Sequence, residues 1–167
     1  MNKLIRLGLA GCLAGLLSAT VVHRSAASGP PATCTATLTI FTTSTGTVTT
    51  SGQVTHYQDS GVGGFYSSGP LAGYSISGAQ NIMVNNVTHQ SELQGSFTAS
   101  GPGGSVVISY TGHANLTTGM ATGHFETLSG TGGFATFHWE GSIDAHLVSL
   151  TPPTFLATDS GFCQSAP

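Results

Sequence analysis

Polar and apolar side chains alternate along residues 122–147, and the rest of the chain is organised around this stretch. The apolar or small residues of one parity are Phe137, Trp139, Gly141, Ile143, Ala145 and Leu147. The polar residues of the other parity are His138, Glu140, Ser142, Asp144 and His146. Because successive side chains of a β-strand point to opposite faces, this period of two predicts a half-buried strand. The segment before the glycine-rich turn at 130–133 alternates likewise, so the stretch predicts a β-hairpin, which a bulge at residues 141–142 would interrupt.

Further strand signals recur along the chain and are separated by glycine, proline and asparagine turns, with Gly63-Gly64 and Gly69-Pro70 as turn candidates. They cover residues 36–40, 47–57, 74–84, 92–99, 105–111, 115–128 and 154–157. Helical periodicity is not sustained anywhere beyond the N-terminal region. About eight antiparallel strands with one apolar face predict either a closed barrel or a sandwich. The single all-β barrel is favoured, because closure removes the exposed strand edges that lysines would otherwise protect.

The N-terminal region carries the features of a secretory signal peptide. Lys3 and Arg6 precede an apolar run at residues 7–22, and small residues at 25–27 predict cleavage before Ser28. The division is therefore a signal peptide at 1–27 and one β-barrel domain at 28–167. An uncleaved membrane anchor is one alternative, and lipid attachment at Cys12 is another. The prediction is a protein that is secreted, periplasmic or on the cell surface, with no membrane association after cleavage.

Removal of the signal peptide would leave a chain without lysine or arginine. The three basic residues all lie at or before Arg24, while all six carboxylates follow residue 27, which gives a side-chain charge of −6 with histidine neutral. Nucleic acids and anionic membranes are disfavoured as partners, because no cation is available to neutralise phosphate. A Schiff-base lysine and an arginine clamp are excluded.

Two cysteines remain after cleavage, Cys34 and Cys163, one near each end of the domain. In an exported chain an even pair predicts a disulfide, here one that ties the two termini together. A reactive thiol is the alternative, although neither cysteine has a basic neighbour in the sequence.

The polar parity of the hairpin gathers histidines and carboxylates on one face. Its candidate ligands for a divalent metal are His124, His138, His146, Glu126, Glu140 and Asp144. Imidazole and carboxylate groups on adjacent strands are suited to metal ligation and to acid–base chemistry. The alternative is a solvated outer face whose side chains pair weakly. No other cofactor is expected, and parity alone does not say which face is inside, since small barrels can have polar interiors.

The hairpin also carries a family resemblance. Residues 129–135, S-G-T-G-G-F-A, resemble the G-T-G-x-F motif of allene oxide cyclase-like and dirigent-like barrels, and residues 121–125, A-T-G-H-F, are similar to the preceding strand of that group. The group usually continues with a G-A-x-G run, where this chain has T-F-H-W. The resemblance implies a closed barrel, and its members include isomerases of apolar substrates and proteins that steer radical coupling. It implies no catalytic residue here.

Three functional hypotheses follow. The first is a barrel without catalysis that binds an apolar small molecule or serves as a structural extracytoplasmic module, since no catalytic signature occurs. The second is an isomerase- or cyclase-like enzyme, which requires an ionisable group inside the barrel; the candidates are Glu126, His138 and Glu140. The third is a divalent-metal-binding protein that uses the hairpin face.

Overall fold

A computed structural model describes residues 32–164, which contain nine β-strands and one short 3-10 turn, Gly132–Phe134. The strands are β1 (Ala32–Ser44), β2 (Thr47–Ser51), β3 (Val54–Tyr66), β4 (Ser75–Asn85), β5 (Gln90–Gly101), β6 (Gly104–Asn115), β7 (Met120–Gly130), β8 (His138–Leu150) and β9 (Pro153–Gln164). Neighbours along the chain pair antiparallel from β2 through to β9. The sheet is therefore an antiparallel meander.

The meander closes on itself through β1. This strand pairs with β9 from Ala32 to Phe41 and with β3 from Leu38 to Ser44. Eight strands thus form a closed barrel, and β2 is an extra strand that pairs with the start of β3. The predicted all-β antiparallel barrel of about eight strands is confirmed.

Two of the differences between the observed strands and the sequence predictions occur at glycines. The predicted strand at 47–57 is divided by a turn at Gly52, where φ is +58°, into β2 and the beginning of β3. Gly63 and Gly64, predicted as a turn, lie within β3 and pair with β1. Both errors arise from glycine, since a glycine within a strand permits close approach of a neighbour as readily as it permits a turn.

The predicted parity of β8 is confirmed. Trp139 and Ala145 are buried on the inner face, while His138, Glu140 and His146 are exposed on the outer face. The pairing of β8 with β9 keeps its register from His138 to Leu147, so no bulge occurs at residues 141–142. A bulge does occur in β3 between Tyr57 and Ser60, where Asp59 has a φ of +53°. Such an extra residue reverses the parity of a strand without any signal in its hydrophobic pattern.

Large side chains fill one end of the barrel, which we call the closed end. The indole of Trp139 contacts the ring of Phe125, with centroids 4.8 Å apart, and the ring of Tyr66 at 6.3 Å. Leu71 and Tyr74, from the loop after β3, are buried against this cluster. The contact between Phe125 and Trp139 is edge-to-face, a geometry that adds to the stabilisation that burial provides.

A disulfide fastens the closed end. Cys34 on β1 is bonded to Cys163 on β9, with a Cα–Cα distance of 5.7 Å and a sequence separation of 129. The predicted pairing is confirmed, and it is typical of an oxidising, extracytoplasmic compartment. The predicted signal peptide at 1–27 and the alternative lipid attachment at Cys12 lie outside the described residues.

Within residues 32–164, no helix has the length and apolar character needed to cross a membrane.

Candidate ligand-binding cavity

The hairpin face predicted as a catalytic or metal site lies on the outside of the barrel. All three catalytic candidates, Glu126, His138 and Glu140, are exposed to solvent. Two of them interact, since His138 Nε2 lies 3.5 Å from Glu140 Oε2. Their position follows from parity, because the alternate residues Phe125 and Trp139 occupy the interior. These three residues therefore provide no ionisable group inside the barrel, and the enzyme hypothesis loses the support that it took from them.

The six metal-ligand candidates do not meet at one site, although Glu126 lies opposite Glu140 on the ladder between β7 and β8. His138 and His146 are eight positions apart on β8, which is roughly 27 Å at the rise of a strand. His124 pairs across the ladder with Ser142, and Asp144 with Thr122, so neither meets another candidate directly. Among residues 32–164, no group of three or more His, Cys, Asp or Glu side chains is arranged to hold a metal ion. The hairpin face is a solvated outer wall.

The interior of the other half of the barrel contains a cavity of about 480 Å³. Its wall is built mainly from aliphatic, aromatic and glycine residues of the inner parity, among them Ile40, Ile82, Leu93, Ala121, Ile143 and Phe155. Gly112 and Gly123 face each other across β6 and β7 in this wall, and neither contributes a side chain to fill the space. The volume is within the range of sites for small molecules.

The cavity opens at the end of the barrel opposite the disulfide, which we call the mouth. Thr45, Leu116, Leu150 and Pro153 come from turns or strand ends there and line the entrance. Leu150 is 77% exposed, so an apolar side chain stands at the rim. From Pro153 to Asp159 along β9, the depth is roughly 15 Å for strands with the tilt usual in barrels. The cavity is therefore deep enough for an elongated molecule.

A carboxyl group lies at the inner end of this apolar cavity. Asp159 on β9 lines the cavity but is only 1% exposed. The hydroxyl of Tyr66 donates a hydrogen bond to Asp159 Oδ2 at 3.0 Å. The other oxygen, Oδ1, is buried and has no hydrogen-bond partner among the described residues. A buried acceptor without a hydrogen-bond partner lowers the stability of the folded protein. A ligand that donates a hydrogen bond to Oδ1 would remove this cost.

Burial dominates the electrostatics of this carboxyl group. Desolvation raises the pKa of Asp159 from 3.8 to about 7, and the hydrogen bond from Tyr66 opposes that rise. The pKa of Tyr66 is itself raised well above 10, first by burial and then by the negative charge of Asp159. Near neutral pH the Tyr66 hydroxyl therefore keeps its proton and donates a hydrogen bond to a carboxyl group that exists in both protonation states.

A second polar contact lies on the opposite wall. The hydroxyl of Tyr110 donates a hydrogen bond to Gln80 Oε1 at 2.8 Å, and both residues line the cavity. Burial raises the pKa of Tyr110. Because these two side chains bond to each other, they add a polar patch to the wall. They leave no unpartnered acceptor comparable to Asp159 Oδ1.

Sequence reasoning did not single out Asp159. The last strand was predicted to end at Ala157, whereas β9 continues to Gln164. Alternation continued from Phe155 through Ala157 to Cys163 places Asp159 on the inner face. That parity, with a carboxylate among apolar residues, was the available signal.

No protein-family model, curated protein or solved structure matches this chain.

Proposed function

We propose that this protein binds an elongated apolar small molecule within the open half of its barrel. The observation that carries the proposal is the cavity of about 480 Å³, which is apolar along its walls and reaches the surface at the mouth. A purely structural module gains nothing from such a space, because each unfilled volume in a core lowers stability. The apolar walls contribute to binding through the hydrophobic effect.

The dimensions favour a slender ligand over a broad one. The depth of roughly 15 Å exceeds the width available between the walls of an eight-stranded barrel, whose interior holds one small ligand at most. Each methylene group buried contributes about 0.8 kcal/mol, so lengthening an alkyl chain by one carbon is expected to tighten binding about fourfold until the cavity is filled.

The proposal is tested by titration with N-phenyl-1-naphthylamine, an uncharged fluorescent probe that brightens in apolar surroundings. We expect saturable binding of one probe per protein. Ala121→Trp, which places a large ring in the cavity wall, should weaken this binding about tenfold or more. Met120→Trp is the matched control, because Met120 is the neighbouring residue and is 52% exposed on the outer face.

Two results would overturn the proposal. One is the absence of saturable binding by the wild-type protein. The other is an equal effect of the two tryptophan variants, which would locate any binding on the outer surface. Circular dichroism of both variants separates loss of binding from loss of the fold.

An isomerase- or cyclase-like activity on the bound molecule is a second candidate, favoured by Asp159. A carboxyl group with a pKa of about 7 in an apolar site is suited to exchange a proton with a ligand. Asp159→Asn should then abolish turnover of an apolar substrate while its binding persists. Turnover that is unchanged in this variant would dismiss Asp159 as the acid–base group.

A further inference from the structure

Only one of the two carboxyl oxygens of Asp159 has a hydrogen-bond partner in the barrel. Tyr66 occupies Oδ2, whereas Oδ1 has no partner within residues 32–164 and the residue forms part of the cavity lining. The Tyr66 ring is held in place by Phe97 and Trp139, with centroids 6.4 Å and 6.3 Å away, so the carboxyl group is fixed from behind. Because Asp159 is part of the cavity lining, Oδ1 is the hydrogen-bond acceptor that a molecule in the cavity could use.

The surroundings of Asp159 supply no positive charge. Its cross-strand neighbours are Ala36 on β1 and Ile143 on β8, neither of which titrates. Tyr66 is the titratable group in contact with it, and residues 32–164 include no lysine or arginine. The histidines and carboxylates of β8 lie on the outer face of the wall. When Asp159 is ionised, the protein itself provides one hydrogen bond and no counter-ion.

We propose that Asp159 binds the protonated nitrogen of an apolar tertiary amine, whose hydrocarbon chain fills the cavity toward the mouth. This inference rests on the proposed function and specifies the head group of its ligand. A protonated tertiary amine carries one N–H, which matches the single unpartnered oxygen. It also brings the positive charge that the site lacks, so Tyr66 and the ligand together satisfy both carboxylate oxygens.

Other head groups fit this site less well. A fatty carboxylate would place a second negative charge beside Asp159 in an apolar environment. An alcohol can donate one hydrogen bond but leaves the carboxylate without a counter-ion. A protonated primary amine brings the charge but has three N–H groups, and at least one would stay unpaired because a carboxylate oxygen has only two acceptor sites. A quaternary ammonium ion brings the charge and no donor.

The experiment measures displacement of N-phenyl-1-naphthylamine by a series with the same ten-carbon chain: N,N-dimethyldecylamine, decyltrimethylammonium, decanol and decanoate. In the wild-type protein at pH 8, the tertiary amine should bind about tenfold or more tighter than the other three. In Asp159→Asn this preference should disappear, while the affinity for decanol changes less than about threefold. Asp159→Leu, which has the same number of side-chain heavy atoms and is fully apolar, is the second variant if the asparagine variant does not fold.

The pH dependence distinguishes a direct contact from a structural role. Because the amine binds the ionised carboxyl group, wild-type affinity for N,N-dimethyldecylamine should rise between pH 5.5 and pH 8 with a midpoint near 7. Tyr66→Phe removes the hydrogen bond that lowers the pKa of Asp159, so the midpoint should move to higher pH. The Asp159 variants should show no such rise.

The outcomes separate the two proposals. If neither the probe nor any decyl compound binds, the proposed function itself fails. If the probe and all four compounds bind with equal affinity, or if Asp159→Asn keeps the preference for the amine, the cavity binds apolar molecules but this assignment of its head group is wrong.

Discussion

The closed end and the mouth of this barrel are built from the same alternating strands, yet one is filled and the other is hollow. At the closed end the inner positions hold Trp139, Tyr66 and Phe97, and the loop after β3 adds Leu71 and Tyr74. Toward the mouth the same faces of β6 and β7 hold Gly112, Ala114, Ala121 and Gly123. Alternation determines which side chains point inward, and their volumes determine whether a cavity remains. Four changes test this contrast, in order of decreasing expected effect.

The largest effect is expected at the disulfide of the closed end. Replacing both Cys34 and Cys163 by serine should lower the free energy of unfolding by about 5 kcal/mol, because the bond closes a loop of 129 residues. Denaturation in guanidinium chloride measures this change. The wild-type protein under reducing conditions serves as the control, and a loss below about 1 kcal/mol would show that the β1–β9 pairing holds the ends together unaided.

The second effect concerns Asp159, at the boundary between the two regions. Its pKa is raised from 3.8 to about 7 on folding, so the folded state retains a proton that the unfolded state loses. The resulting stabilisation is complete below pH 4 and is lost as pH rises through about 7, a decline of roughly 4 kcal/mol.

Asp159→Asn should remove this decline, leaving a flatter dependence of stability on pH. Taking the difference between the variant and the wild type at each pH cancels the contribution of every other titrating group. Parallel curves for the two proteins between pH 4 and pH 8 would contradict the raised pKa.

The third change compares isoleucines in the two halves. Ile108→Ala removes a fully buried side chain from the closed end and should cost about 2–4 kcal/mol, since the rigid surroundings leave a void. Ile82→Ala makes the same chemical change in the half-buried wall of the cavity and should cost about 1 kcal/mol. Equal losses in thermal or denaturant unfolding would mean that the open half is as tightly filled as the other.

The smallest effect comes from adding volume. Ala99→Leu overfills the closed end, where Ala99 is completely buried, and should destabilise the fold by about 1–3 kcal/mol. Ala121→Leu extends into the cavity and should leave stability unchanged or raise it by about 0.5 kcal/mol. Destabilisation of similar size in both variants would indicate that the cavity wall cannot accommodate an added side chain.

The sequence predicted the barrel well because its inner and outer faces are encoded by parity. The residues of β8 fall on the expected sides, and Cys34 and Cys163 form the expected disulfide. Parity fails where the backbone interrupts it, as in the bulge of β3 near Asp59. The opposite error occurred at Gly63 and Gly64, where a turn was predicted but the strand continues.

The site was harder to predict for two physical reasons. The hairpin face was predicted as the site because it gathers ionisable residues such as Glu140 and His138, although charged side chains normally lie on the outside of a barrel. Asp159 was not considered because it lies beyond the predicted end of its strand. The cavity depends on the combined volumes of side chains from many strands, such as the facing pair Gly112 and Gly123. Strand register and barrel closure determine which of these side chains face one another, and neither can be read from a single stretch of sequence.

The isoleucines offer the most direct test of the hollow half. Five lie in residues 32–164: Ile40, Ile82 and Ile143 line the cavity, and Ile76 and Ile108 are buried at the closed end. In methyl NMR spectra, saturating N-phenyl-1-naphthylamine should shift the signals of the three cavity isoleucines and leave the other two nearly unchanged. Shifts confined to Ile76 and Ile108, or no shift at any of the five, would contradict an apolar ligand site in this half of the barrel.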